Sequence, residues 1–465
     1  MKKSEYIKIV KFSSFFIKKY WYAKFINFFN PLKFHPANLE NYLSLKKKKY
    51  FFFFLKTLKY FTNSFFDYFI LQNYNQKKTS YDTIVFSNII NEQKKYSIKN
   101  DYYFGGISNK IINSLVVYRN FTKDNSQIIK KKFLDKNVII LNKKNFILNE
   151  LKYILYFIII YFKIKIDYIN QKDNKKRIFL KEASSFTNVA SCLTNLRTLD
   201  QISKIIRKYN PKKIIITYEG HSWEKIVINY IKKNCLDIKI VGYQFSFLKK
   251  EDSLLLMNLP KFFYPDEILT VGNLNFDLLR KSQLYKNCHI DILGSPKFSK
   301  PKKIKKFIKA CLVLTGLNRI DFYNFFYFTR KLAITFADYK FIFRMHPQSV
   351  MSNYFSNKIA LPKNMIISKN SINHDISKSF FAIHGSSTSI FTCLSKGMWP
   401  LYYDYSNINT NILHSLNLNN TKIKKVEDFN KIIKQKYFFN NNYYLINKYF
   451  RDYYASLNFN VSIFK

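Results

Sequence analysis

The stretch AIHGSSTSIFTCLSKGMWP, residues 382–400, read together with FRMHP at residues 343–347, decides the fold class of this chain. The apolar run Phe380, Phe381, Ala382, Ile383 reads as a buried strand. His384-Gly385 reads as its exit turn, and Ser386, Ser387, Thr388 and Ser389 as the cap and first turn of a helix. Such a junction aims unsatisfied backbone N–H groups and small hydroxyls at one spot, which suits a phosphate. In FRMHP, Arg344 and His346 end another apolar run, YKFIF, and Pro347 keeps His346 extended rather than helical. Both motifs therefore fall at the carboxyl ends of strands, where open α/β sheets bind ligands.

Outward from that stretch the same rhythm repeats. ACLVLTG (310–316), YKFIFRMHP (339–347), NMIIS (364–368) and WPLYYD (399–404) read as strands with helices between them. Upstream, YDTIVFSNII (81–90), NVIILN (137–142), PKKIIITYEG (211–220), IKIVGYQFS (238–246), ILTVG (268–272) and IDILGSPK (290–297) read as strands with their exits. HSWEKIVINYIKK (221–233) and Leu199–Tyr209 have helical spacing, and FILNELKYILYFIIIYF (146–162) reads as a buried helix or a helix leading into a strand. Alternation of this kind implies parallel sheets with right-handed crossovers. Seven of the nine glycines lie between Gly220 and Gly397, and six of these (Gly220, Gly242, Gly272, Gly294, Gly316, Gly385) follow apolar runs. Chemistry is expected along that row of strand ends.

At 465 residues two domains are expected. The predicted organisation is a basic aromatic extension over 1–75, a first α/β domain over 76–270, an interdomain segment over 271–305 with the lysine run KPKKIKKF (300–307) across its end, a second α/β domain over 306–430 and a closing helical segment over 431–465.

The chain carries 78 Lys+Arg against 29 Asp+Glu, a formal charge of +49. Nine of the basic residues are arginines, and Lys, Asn, Ile, Phe and Tyr are inflated together, as codons rich in A and T would make them. Most of the charge therefore reads as a solvated lysine surface, with an anionic membrane or polymer as the alternative partner. Nucleic acid is not expected, because no nucleic-acid module appears and the aromatics lie in apolar runs. Five scattered cysteines without a CxxC pair point to reduced core thiols in a cytoplasmic protein. The lysine-broken N-terminus lacks the pattern of a cleaved signal peptide. The charge-free run Tyr153–Phe162 is about half the roughly 20 residues that cross a bilayer. Two readings stay open for 1–75: a basic amphipathic helix on the inner face of an anionic membrane, or a helical layer with a Phe-rich core.

Glu219-Gly220, at the end of the strand IIIT, offers a carboxylate on a strand tip beside a flexible turn. A base that takes a proton from a sugar hydroxyl needs a carboxylate held there and partly desolvated. The alternative is a glutamate that caps the following helix, for which Glu224 in its first turn competes. His221 and Trp223 are adjacent candidates for an acceptor pocket, although a Trp early in a helix also suits a core. Arg344 and His346 could hold or protonate a departing nucleotide phosphate. No Asp-x-Asp occurs, so the carboxylate pair that holds a divalent cation in many metal-dependent glycosyltransferases is absent.

The order Glu219-Gly220, His346-Pro347 and Ser386-Ser387-Thr388 resembles the acidic-Gly, His-Pro and Ser-Ser motifs of bacterial sialyltransferases and polysialyltransferases. YEGHSWEK with GYQFSF is also similar to surface-carbohydrate biosynthesis proteins of bacterial polysaccharide clusters. The resemblance covers roughly residues 200–405, and Tyr218 stands where the motif carries a first acid. It implies a GT-B fold, two Rossmann-like domains facing a cleft. It also implies a nucleotide-activated sugar donor, a CMP-sugar, bound mainly by the second domain, with a glycan or lipid-linked acceptor, inversion at the anomeric carbon, and no metal or other cofactor. By that likeness Glu219 is the base, His346 meets the CMP phosphate, and Gly385, Ser386, Ser387 and Thr388 complete the phosphate contacts. Teichoic-acid glycerophosphotransferases also carry Arg-x-His-Pro and Gly-Ser-Ser but transfer a phosphopolyol from a CDP donor. A non-catalytic membrane-surface scaffold of the same fold is the third reading.

Overall fold

The computed structural model describes residues 80–89, 101, 103–120, 137–141, 147–183, 186–248, 258–296, 306–316, 319–346, 360–405, 421–434 and 452–464, with a few single residues besides. The expected extension over 1–75 and about half of the closing segment over 431–465 lie outside them. The chain forms two compact units: a first that runs to Lys297 and takes in Leu457–Lys465, and a second over Phe298–Ser456.

The first unit has seven strands: β1 (Thr83–Ile89), β2 (Ser114–Asn120), β3 (Val138–Ile140), β4 (Lys213–Thr217), β5 (Lys239–Gln244), β6 (Glu267–Thr270) and β7 (His289–Ile292). They form one sheet in the order β3-β2-β1-β4-β5-β6-β7, and every pairing is parallel. All seven residues of β1 are buried. A parallel sheet covered on both faces selects unbroken apolar runs of this kind. Three helices, α1 (Ile147–Asn170), α2 (Asn174–Ala183) and α3 (Phe186–Tyr209), lie between β3 and β4. After β4 comes α4 (Ser222–Asn234), and α5 (Asn273–Arg280) joins β6 to β7.

The second unit repeats the plan with β8 (Ala310–Leu314), β9 (Lys340–Arg344), β10 (Met365–Ile367), β11 (Phe381–His384), β12 (Trp399–Tyr403) and β13 (Lys422–Ile423) in the order β10-β9-β8-β11-β12-β13, again all parallel. Its helices are α6 (Arg319–Thr335), α7 (Ile372–Ser377), α8 (Ile390–Ser395) and α9 (Val426–Lys434). Aromatic rings fill its core: Phe343 stands edge-on to Phe322 and Phe326 at 5.5 and 5.6 Å.

Counted within each unit, the first six strands run 3-2-1-4-5-6 across the sheet, the order of a doubly wound Rossmann fold. The expected α/β class with two Rossmann-like units is the observed one. The order reverses between β1 and β4 in the first sheet and between β8 and β11 in the second. At such a reversal the crossovers leave the sheet in opposite directions, which opens a crevice at the strand ends.

Four local expectations need correction. Residues 271–305 were expected between domains, but 273–292 carry α5 and β7, and His289–Ile292 pairs with β6. An edge strand has one neighbour, and β7 is only half buried, so it lacks the apolar run that marks its inner neighbours. Residues 457–464 return to this edge: the Asn458 N–H donates to Leu293 O (2.9 Å) and Ser462 Oγ to Glu267 Oε1 (2.6 Å). The helix expected from Ser386 begins only at Ile390, and Ser389 at its N-cap makes no side-chain capping bond. Gly242 lies inside β5, where a Cβ would come within 2.9 Å of the Tyr218 side chain. Finally, 146–162 leads into no strand: Ile147–Asn170 is one helix. Its inner face is buried through Tyr153, Phe157, Ile160 and Ile164, and Glu150 is clamped by the Arg197 guanidinium of α3. Among the described residues no helix is long and apolar enough to cross a membrane. All five cysteines are unpaired.

Candidate functional site

In the first unit the chain leaves β4 through a turn built around two glutamates. Tyr218 is buried and its N–H donates to Tyr243 O (2.8 Å). Gly220 turns the chain at φ +82°, a left-handed conformation that favours glycine. His221 is the extended N-cap of α4. Glu224, only 1% exposed, points back into the turn. Its Oε2 accepts the Glu219 and His221 N–H groups, both at 2.9 Å, and its Oε1 accepts the Thr217 hydroxyl at 3.3 Å. These bonds satisfy donors that a helix start leaves open. Burial drives the Glu224 pKa up to about 7, with the Glu219 charge adding to it, while His221 and the two backbone N–H groups pull the other way.

That engagement leaves Glu219 as the second carboxylate. Its Oε2 lies 3.5 Å from His221 Nε2. Its Oε1 is buried and accepts no hydrogen bond among the described residues. Burial alone would lower the His221 pKa, but the hydrogen bond to Glu219 and the charges of Glu224 and Glu219 carry it above the usual imidazole value. A half-exposed imidazole therefore stands against the carboxylate of this turn that the capping leaves unused. Asn88, near the end of β1, also buries an Oδ1 with no hydrogen-bond partner among the described residues. Since β1 and β4 are neighbours at the reversal, two buried acceptors without a hydrogen-bond partner among the described residues lie at neighbouring strand ends.

Trp223 does not line this turn. It is buried, with its ring under the Arg119 guanidinium at 4.1 Å. Arg119, from the end of β2, is itself buried, and burial lowers its pKa to about 9 despite the nearby Glu224. Lys225 is depressed to about 8 by burial, again opposed by Glu224. Arg119 and Asn88 were not singled out in the sequence; the one available signal was a polar residue ending an apolar run.

In the second unit the polar residues also gather at the reversal, but differently. Arg344 ends β9, and its Nη1 donates to Asn370 O (2.7 Å) and to Asp375 Oδ2 (2.9 Å). Asp375, on α7, is 1% exposed and also takes the Ser368 hydroxyl at 2.6 Å. The arginine is thus held by a buried carboxylate, with Nε and Nη2 making no bond to the protein among the described residues. His346 follows two residues on and is half buried. Past β11, Ser386 and Thr388 are exposed while Gly385 and Ser387 are buried, so the hydroxyls that reach the surface of the turn are those of Ser386 and Thr388. Ser386 Oγ also donates to Asp321 Oδ2 at 3.4 Å, and the Tyr405 hydroxyl donates to Asp321 Oδ1. Burial raises the Asp321 pKa and these two hydroxyls oppose the shift. Gly316, leaving β8, admits this pair: a Cβ there would lie 2.3 Å from Asp321 Oδ2 and 3.1 Å from Ser386 Oγ. His384 is buried and donates Nδ1–H to Gly385 O (3.0 Å); burial lowers its pKa to about 4, so it is neutral.

Seven of the ten predicted site residues thus sit at strand ends next to the reversals. Glu219, His221 and Glu224 form one cluster and Gly385, Ser386, Ser387 and Thr388 another turn, while Arg344 and His346 leave the strand beside β8 and Trp223 lies beneath the surface. Asp321, Asp375 and Tyr405 went unnoticed because their partners lie tens of residues away in sequence. Among the described residues no group of three or more His, Cys, Asp or Glu is placed to hold a metal ion.

No protein-family model matches the sequence, and no curated protein matches it. Solved structures of similar chain path include the calicheamicin glycosyltransferase CalG4 (TM-score 0.46, 10% identity, 80% of this chain and 94% of that one). MnaA of S. aureus with UDP (0.46, 10%, 81% and 93%) and the glycosyltransferase SnogD of Streptomyces nogalater (0.44, 9%, 81% and 96%) are others. At these identities and scores the likeness is one of chain path alone and assigns no residue a role.

Proposed function

We propose that this chain is a glycosyltransferase that moves a sugar from a nucleotide-activated donor to a glycan or lipid-linked acceptor. The observation that carries this reading is the Glu219 carboxylate, at a strand end beside a topological reversal, with Glu224 taking over the capping that would otherwise consume it. In the proposed reaction Glu219 accepts the proton of an acceptor hydroxyl, whose oxygen attacks the anomeric carbon as the bond from that carbon to the phosphate oxygen breaks. Asn88 Oδ1 suits a second hydroxyl of the same acceptor. In the second unit, His346, the remaining nitrogens of Arg344 and the turn at 385–388 suit the phosphate of a nucleotide.

The finer reading keeps a CMP-linked donor, inversion and no metal, in the service of a bacterial surface polysaccharide. It is supported by the motif order Glu219-Gly220, His346-Pro347, Ser386-Ser387-Thr388. Incubation with CMP-, CDP- and UDP-linked donors, with release of the nucleotide followed with and without chelator, tests it. Release from CMP-sugars in chelator is the expected result. Release from CDP-glycerol alone would convert the reading to phosphopolyol transfer, and release from none would leave the fold without this chemistry.

A further inference from the structure

Helix α1 is apolar on two opposite faces, and among the described residues only one of them is covered. Its inner face packs on α3. On the other side Leu148, Leu151, Leu155, Phe162, Ile166 and Ile169 are 48–68% exposed. Their spacing of three, four, seven, four and three residues puts them on one side of a 3.6-residue helix, and Ile158 and Ile159, also exposed, fill the central gap. The stripe runs the length of a 24-residue helix, roughly 36 Å. Single exposed leucines need no account, but a continuous row of this size marks an interaction face.

Charge selects the partner. At 100° per residue Lys152 and Lys163 fall along one edge of the stripe and Lys165 along the other. The acids of α1 are Glu150, which is clamped on the inner face, and Asp167. A second copy laid along the stripe would set lysine edges against lysine edges between two chains of formal charge +49. Paired helices of that kind normally carry opposite charges at the flanking positions. An anionic lipid surface meets both features at once, because the apolar row enters the acyl boundary and the lysines reach the head groups. We infer that the outer face of α1 lies on an anionic membrane surface, with the helix in the plane of the interface. This does not depend on the transferase reading.

The test is co-sedimentation of the full chain with vesicles of phosphatidylcholine alone and of phosphatidylcholine with roughly one third phosphatidylglycerol. The parent is expected to bind the anionic vesicles, less at high salt. Leu155→Ser with Phe162→Ser, whose side chains are exposed, should leave the circular dichroism and thermal midpoint unchanged and lower vesicle affinity at least about tenfold. Lys152→Gln with Lys163→Gln and Lys165→Gln should lower it roughly fivefold per lysine, on the anionic vesicles only. A parent that ignores anionic vesicles, or a double-serine variant that binds them as the parent does, overturns the inference. In the second case sedimentation velocity names the true occupant: loss of a dimer in the variant assigns the stripe to a second copy, and no change assigns it to residues 1–79 of the same chain.

Discussion

The ends of β4 and β11 occupy the same place in two sheets of the same order, yet they are built from opposite materials. The β4 turn concentrates titratable groups: two glutamates, an imidazole and two buried cations, with pKa values pushed toward neutrality at Glu224 and Lys225. The β11 turn offers hydroxyls and backbone, and its acids are turned inward, Asp321 to hydroxyls and Asp375 to a guanidinium. On the proposed reading, one end moves a proton and the other holds an anion. Topology supplies the crevice in both cases; the residues on the few positions after each strand decide what it does.

The contrast can be broken most sharply at Glu219. Glu219→Gln should lower turnover by about 10²–10⁴-fold while nucleotide affinity stays at the parent value, since an amide keeps the shape but cannot accept the proton. Initial rates set beside calorimetry with CMP separate the two quantities, and a parent-like rate would hand the proton to Glu224 instead. On the other side, Asp375→Ala leaves Arg344 without its buried counter-charge and should cost about 3 kcal/mol of stability in chemical denaturation. An unchanged midpoint would make the tether incidental.

A smaller effect probes the proton-handling end by pH. The folded pKa of Glu224, about 7, lies above its ordinary 4.5, so the native state holds this proton more tightly than the unfolded chain. Its contribution to stability is therefore complete below pH 4.5 and is lost as the pH rises to 7. Glu224→Gln should flatten that decline by about 3 kcal/mol, and thermal midpoints that fall in parallel for both proteins across the window would show Glu224 ionised throughout. The smallest effect belongs to the anion-holding end: His346→Ala and Thr388→Val should each weaken CMP or CDP binding about tenfold in calorimetry, about 1.4 kcal/mol. Two unchanged affinities would erase the distinction between the strand ends.

Much of the fold was legible because parallel strands covered on both faces leave a local mark. IIIT and ACLVL are unbroken apolar runs, and the glycine after each run signals the exit. What stayed hidden was set by distant partners. Nothing within YEGHSWE says which glutamate turns back to cap the helix; that follows from where the N–H groups of Glu219 and His221 come to lie. Asp321 became visible only beside Ser386, 65 residues away. Gly242 looked like a turn and is a gap for the Tyr218 ring. In FILNELKYILYFIIIYF, periodicity could not show that two apolar faces point in opposite directions, because a helix apolar nearly all round reads as buried.

The return of residues 457–464 to the first unit makes the second unit an insertion within the first. A ribosome delivers β4 long before its last partner: the Lys213 ammonium waits 249 residues for the Ser462 carbonyl (2.7 Å). At about 5–20 residues per second that is roughly 10 to 50 s, and Glu267 of β6 waits 195 residues for its hydroxyl donor, Ser462. The first unit is thus closed only after the second has been made, and a product clipped before residue 457 would carry a complete second unit and a first unit still missing its closing stitches.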